Sequence, residues 1–238
     1  MNVQTQTISP VTAVEDGDKP FRVVVIGGGI SGVLMGIKLQ DAGIENFTIY
    51  EKASELGGTW RDNIYPGVAC DVASHHFCYS FEGNPGWSRR FPPGAEIKAY
   101  VERTAEKYGV TRFIRFNSQI VSTKWDGRHW QLTTKTGERD YADVLVSAVG
   151  VLQQPKIPDF KGLDTFAGPC FHTSQWRKDV DFKGKRVGVI GNGSTAAQVI
   201  PNILEKADKI VHFQRTAQWM MPLPDKEYKG WEKAVYRY

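Results

Sequence analysis

Cysteine is scarce in this chain: three residues in 238, Cys70, Cys78 and Cys170. The number is odd, and neither a C-x-x-C pair nor zinc-ligand spacing occurs. That argues against a disulfide framework, a redox dithiol and a metal site, and it fits a reducing, cytoplasmic compartment. Long apolar runs are absent too, so no segment approaches a membrane span. Met1 to Lys19 is polar with its first basic residue at Lys19. It lacks the parts of a secretory signal and reads as a mobile tail. Dense Lys/Arg blocks are missing, and a formal charge of +4 suits attraction of an anionic nucleotide rather than nucleic acid. The basic group Arg177, Lys178, Lys183, Lys185 and Arg186 reads as a solvated loop face. What remains, 41% hydrophobic and 24% charged, is an ordinary soluble composition, long enough for one or two domains.

Two glycine fingerprints stand out against that background. Gly27-Gly28-Gly29-Ile30-Ser31-Gly32 follows the apolar run Phe21–Ile26, and Gly191-Asn192-Gly193-Ser194-Thr195-Ala196 follows Arg186–Ile190. In each, the first glycine permits a tight turn and the second lets backbone approach a pyrophosphate. The last small residue lets helix and strand pack closely, with the helix N-terminus facing the phosphates. Glu51 and Arg215 stand the same 24 positions beyond Gly27 and Gly191. An acid at this point accepts from a free ribose 2′-OH, whereas an arginine suits a 2′-phosphate. Two different dinucleotides are therefore expected, the second phosphorylated. The alternatives are plain glycine turns without ligand, and an Arg215 that is merely exposed.

The surrounding pattern places both fingerprints in βαβ units. Helices are predicted over Ile30–Ala42, Ala95–Lys107 and Ser194–Glu205, the last kinked or ended early by Pro201. Strands are predicted at Phe21–Ile26, Asn46–Tyr50, Arg186–Ile190 and Lys209–Phe213. Between the units, Ile120–Trp125, Trp130–Thr134 and Tyr141–Val149 read as a β-meander turning at Asp126-Gly127 and Thr136-Gly137. Gly150 and Pro155–Pro158 mark a hinge. The fold class is α/β with two Rossmann-like dinucleotide-binding domains: a tail over 1–19, a first dinucleotide-binding domain with a meander over 20–152, and a linker with a C-terminally truncated second one over 153–238.

Phe166 to Trp176 reads F-x-G-x-x-x-H-x-x-x-W. Together with Gly57-Gly58-Thr59-Trp60, Tyr65-Pro66-Gly67, Cys70-Asp71 and Ser147-Ala148-Val149-Gly150, it makes the chain resemble the Baeyer–Villiger monooxygenases within the flavin-containing monooxygenase group. Arg177 after the tryptophan and Val149 in the Ala-Thr-Gly-like strand end depart from the usual pattern. The resemblance implies FAD at the first turn, contacted by Gly27, Gly29, Ile30, Ser31, Gly32, Glu51 and Lys52. Gly58, Thr59, Trp60, Asp62, Asp71 and Ile120 complete that site. It implies NADP at the second turn, contacted by Gly191, Asn192, Gly193, Ser194, Thr195, Ala196, Gln198, Arg215 and Thr216. Asp71, near the reactive face, and His172 are the catalytic candidates; for His172 a structural linker role weighs more. Trp60 and Trp176 have core-aromatic readings, and Asp71 a turn or N-cap reading.

The chemistry so implied is hydride transfer from NADPH to FAD, reaction with O₂ to a C4a-peroxyflavin, and insertion of oxygen into a small ketone to give an ester or lactone. Asp71 would tune an arginine that family members carry beyond the point where this sequence stops. The second unit has too few strands for a finished sheet, leaving an unpaired edge and an uncovered apolar face. Either a fragment or a natural truncation fits. Two further readings stay open: a monooxygenase acting on nitrogen or sulfur, and a non-catalytic dinucleotide-binding module. Substrate identity and oligomeric state are not specified by these residues.

Overall fold

Val23, Val24 and Val25 are almost wholly buried, as expected for a strand covered on both faces. The computed structural model describes residues 21–237, so the tail read over Met1–Lys19 lies outside the described residues. β1 (Val23–Ile26) runs through the glycine turn into α1 (Ile30–Asp41) and returns as β2 (Phe47–Tyr50). Gly43, at φ +73°, closes α1 with its N–H on the Gln40 carbonyl, a left-handed cap that suits glycine. Next come the single turn α2 (Thr59–Asp62) and α3 (Gly94–Lys107), which buries Ile97, Tyr100, Val101 and Ala105 as its apolar spacing predicts.

β3 (Ile114–Arg115) joins β2. The antiparallel meander follows: β4 (Ile120–Trp125), β5 (Trp130–Thr134) and β6 (Arg139–Ala142). β7 (Val144–Ser147) then completes a parallel sheet in the order β3-β2-β1-β7. The single strand expected over Tyr141–Val149 is therefore two strands in two sheets. Asp143 makes the switch. Its carboxylate accepts the Arg22 N–H at 2.7 Å, while the N–H groups of Asp143 and Val144 both donate to the Arg22 carbonyl. A second tie between the sheets is Asp140, which accepts from the Arg22 guanidinium and, at 2.6 Å, from the Tyr50 hydroxyl.

The second unit comprises β8 (Arg186–Ile190), α4 (Ser194–Leu204) and β9 (Lys209–Phe213), with β8 and β9 parallel. α4 does not end at Pro201. The proline lies on the exposed side, while Val199 and Ile203 on the other side pack against Tyr65, Val187, Val189 and Ile210, holding the helix to Leu204. Ile190 and Phe213, at the ends of the two strands, remain more than half exposed.

One contact has no sequence signature. After β9 the chain returns to the first unit, where the Arg90 and Tyr228 N–H groups bond the Lys226 and Ser88 carbonyls, each at 2.9 Å. Phe91 N–H donates to Asp225, and His75 stacks on Tyr236 just after α5 (Gly230–Val235).

Candidate functional site

The first turn is shaped by glycines for two different reasons. Gly27 has φ +111° and donates its N–H to the Tyr50 carbonyl at 2.8 Å; a Cβ on it would lie 2.4 Å from the Ala148 oxygen. A Cβ on Gly32 would lie 1.9 Å from the Gly27 oxygen, so α1 can approach β1 only with glycine there. The chain itself imposes these two. Gly29 is different: its φ is −84°, and a Cβ there would meet only the Gly58 Cα, at an ordinary 3.7 Å. No internal contact demands glycine at that position. Because α1 has no side-chain cap, the bare backbone at Gly29 adjoins a positively polarised helix end, a suitable cradle for a phosphate.

Glu51 lies directly beyond β2 and is only 3% exposed. Its Oε2 accepts the Gly28 N–H at 2.7 Å; its Oε1 accepts the Ala53 N–H and Arg61 Nη1, each at 2.9 Å. A Cβ on Gly28 would come within 3.0 Å of Oε2, which explains the middle glycine of the triplet. Neither that requirement nor the Arg61 pair was read from the sequence. Arg61 stands on α2, a separate element, and its distance along the chain from Glu51 follows no fingerprint offset.

The other residues expected at the first site surround this pair. Gly58 faces Gly29. Trp60 packs edge-on against Phe77 with ring centres 5.3 Å apart, while Thr59 opens α2 and Asp62 closes it against the Arg61 guanidinium. Lys52 is exposed and donates to Gln153 at 3.0 Å. The chain entering β4 passes Glu51, whose carbonyl accepts the Ser118 N–H at 2.9 Å, and Ile120 packs in the cluster containing Tyr50.

The second turn repeats the first. Gly191 has φ +103° and donates to the Phe213 carbonyl at 2.9 Å, as Gly27 does to Tyr50. Gly193, φ −72°, would carry a Cβ into open space, and α4 also lacks a side-chain cap. Ala196 is buried. Ile26 pairs with Tyr50 and Ile190 with Phe213, so the positional counterpart of Glu51 is Gln214 rather than Arg215. Equal counting from the first glycine missed this because the second unit is one residue shorter between turn and strand end. Gln214 Oε1 accepts from Asn192 Nδ2 at 3.2 Å, echoing the Gly28–Glu51 contact. Asn192 also donates to the Thr216 carbonyl at 2.6 Å, leaving Arg215 exposed between the two tied positions.

The two units meet through several of the expected site residues. Ser194 Oγ donates to Asp71 Oδ2 at 3.2 Å, joining the second fingerprint to the carboxylate expected at the first site. Gln198 accepts from the Tyr65 hydroxyl at 2.9 Å and donates to the Ala69 carbonyl at 3.0 Å. Its amide is thus engaged with the 65–69 loop, where the sequence placed it on a nucleotide. Thr195 lies in the first turn of α4. Burial pushes the Cys70 thiol up, which keeps it protonated and unreactive.

His172 bonds within its own turn: Nδ1 accepts the Ser174 N–H at 3.2 Å and lies 2.9 Å from Ser174 Oγ. Accepting a backbone N–H requires a bare Nδ1, so the ring acts as the cap of the short turn Thr173–Gln175. Trp176 sits between Phe171 and Phe182, with ring centres 5.3 and 5.6 Å away, and packs with the α4 cluster. The linker motif therefore fastens the chain to the second unit.

A family model described as flavin-binding monooxygenase-like matches residues 20–235. A Baeyer–Villiger monooxygenase of Streptomyces coelicolor is 44% identical over 218 residues, covering 91% of this chain and 42% of the relative. Among solved structures, OTEMO in complex with FAD and NADP superposes with a TM-score of 0.83 at 35% identity, over 90% of this chain and 43% of that one. Oxidized steroid monooxygenase bound to NADP gives 0.81 at 38% identity, over 90% and 42%. The chain spans less than half the length of each of these relatives.

Proposed function

The chain belongs to the flavin-binding monooxygenase-like family, and from that premise we propose that it binds FAD at the first turn and NADPH at the second, serving a monooxygenase of Baeyer–Villiger type. The observation that carries the reading is the paired bareness of Gly29 and Gly193. At both turns this glycine has an ordinary φ and a Cβ there would meet no close internal contact, so the chain's own packing does not demand glycine and a ligand's approach does.

When bound, FAD supplies the redox chemistry that takes hydride from NADPH and activates O₂ for transfer to a ketone. The chain's own residues bind and orient. Glu51 accepts a ribose hydroxyl, and the backbone at Gly29, Ile30, Ser31 and Gly32 receives the pyrophosphate of FAD. Lys52 and Ile120 line the adenosine end, while Gly58, Thr59, Trp60 and Asp62 flank the flavin. At the second turn the α4 end, with Ser194 and Thr195, receives the NADPH pyrophosphate, and Arg215 with Thr216 takes the 2′-phosphate. Asp71, bonded to Ser194, supplies a carboxylate at the border between the cofactors. His172 positions the linker.

Two nucleotide-binding domains divided at 152/153 follow, with the amendment that residues 225–236 pack on the first. Among the described residues no helix is long and apolar enough to cross a membrane. The reading adds a cytoplasmic setting, supported by the three free thiols. Turnover by the complete enzyme that this chain serves tests it: NADPH consumption stimulated by ketones, with ester or lactone formed, is expected. Oxidation of amines or thioethers in place of ketones would overturn the Baeyer–Villiger assignment.

A further inference from the structure

We propose that Arg61 is a positioning residue for ribose recognition: it pins the Glu51 carboxylate so that one acceptor site on Oε2 is left for the FAD ribose. This rests on the placement of FAD at the first turn. A carboxylate offers about four acceptor sites. On Glu51 three are filled, by the N–H groups of Gly28 and Ala53 and by Arg61 Nη1. Two of these donors are backbone and fixed; Arg61 is the only side chain among them. Arg61 and Ala53 together fill Oε1, whereas Oε2 carries Gly28 alone.

The pair is withdrawn from water, with side-chain exposures of 8% for Arg61 and 4% for Glu51. A buried carboxylate deprived of its cation is costly to keep in place and tends to turn or recruit water. Arg61 also donates to the Glu55 carbonyl at 2.6 Å and through Nε to Asp62 at 2.8 Å. Only a planar fork satisfies those directions together, so lysine is a poor substitute. The same residue ties α2, whose first cap Gly58 faces Gly29, to the end of β2. One guanidinium thereby sets the ribose acceptor and the wall opposite the phosphate cradle.

The test compares FAD with an FAD analogue lacking the adenosine 2′-hydroxyl, by equilibrium titration of wild type, Arg61→Met and Arg61→Lys. Wild type should favour FAD by roughly tenfold or more, the scale of one hydrogen bond to a charged group. Arg61→Met should bind FAD more weakly and lose most of that preference, with Arg61→Lys between. A purely structural role would lower the melting temperature of either variant yet leave the ratio of the two affinities at the wild-type value, and that result overturns the proposal. Should the Met variant fail to fold, an unchanged ratio in Arg61→Lys does the same. A wild-type protein that binds neither compound overturns the FAD assignment itself, and this inference with it.

Discussion

Gly28 and Glu51 are joined by a 2.7 Å hydrogen bond from the glycine N–H to the buried carboxylate. The bond fastens the glycine turn to the end of the neighbouring strand, so the phosphate cradle and the ribose acceptor form one rigid unit. It depends on glycine through space rather than through backbone conformation, since Gly28 has no positive φ.

Gly28→Ala should therefore crowd the site. The added Cβ meets Glu51 Oε2 at 3.0 Å and Leu56 Cδ2 at 3.1 Å, and overpacking of this kind costs about 1–3 kcal/mol. The midpoint of urea unfolding should fall, and FAD affinity with it.

At the second turn, register separates two adjacent side chains. Arg215→Ala should reduce the preference for NADPH over NADH by roughly ten- to a hundredfold. Gln214→Ala should leave that preference near its original value, because Gln214 faces Asn192. Measured dissociation constants for both nucleotides check the pair of variants.

Gly67 sets the contact between the units. It has φ +81°, and a Cβ there would lie 2.2 Å from Asn202 Nδ2 and 2.7 Å from the Gln198 carbonyl. Gly67→Ala should displace the 65–69 loop from α4 and make that loop more susceptible to limited proteolysis, with a stability loss of about 1–3 kcal/mol from crowding alone.

Acid should weaken the tie between meander and parallel sheet. Burial raises the Asp140 carboxyl, but hydrogen bonds from Arg22, Tyr50 and the Tyr141 N–H outweigh it and hold the group below the ordinary carboxylate value. A depressed folded-state pKa means the contribution is complete above the unfolded value of about 3.9 and is lost as pH falls through the folded one. Asp140→Asn should remove about 1.5–3 kcal/mol at pH 7 and flatten the acid limb of the stability profile below about pH 4. Denaturation curves across that range measure it.

Much of the fold was legible because its signals are local. Apolar runs closed by glycine turns located both βαβ units, and β4, β5, β8 and β9 fall on their expected residues. Long-range events were not. The break at Asp143 depends on Arg22, 121 positions away, in a stretch whose apolar pattern runs on either side of one aspartate. The return of residues 225–236 is held by two backbone bonds to 88–90 and by long-range side-chain contacts such as Arg89–Asp225 and His75–Tyr236, none of which leaves a local pattern. The early end considered at Pro201 does not occur, because burial of Val199 and Ile203 holds the helix to Leu204. At the site, fingerprint glycines and Glu51 could be read by spacing, whereas Gln214 required the paired strands to be seen in register and Arg61 required the packing of α2 against the end of β2.

The most direct measurement of the central claim is binding by Gly29→Ala and Gly193→Ala, since the chain has room for both methyl groups. Each variant should melt close to wild type. Gly29→Ala should lose FAD affinity by about tenfold or more, an effect of at least about 1.4 kcal/mol, with NADP⁺ binding retained. Gly193→Ala should show the reverse. Variants that bind both nucleotides as wild type does, or that each lose both together, would contradict the assignment of two separate dinucleotide cradles.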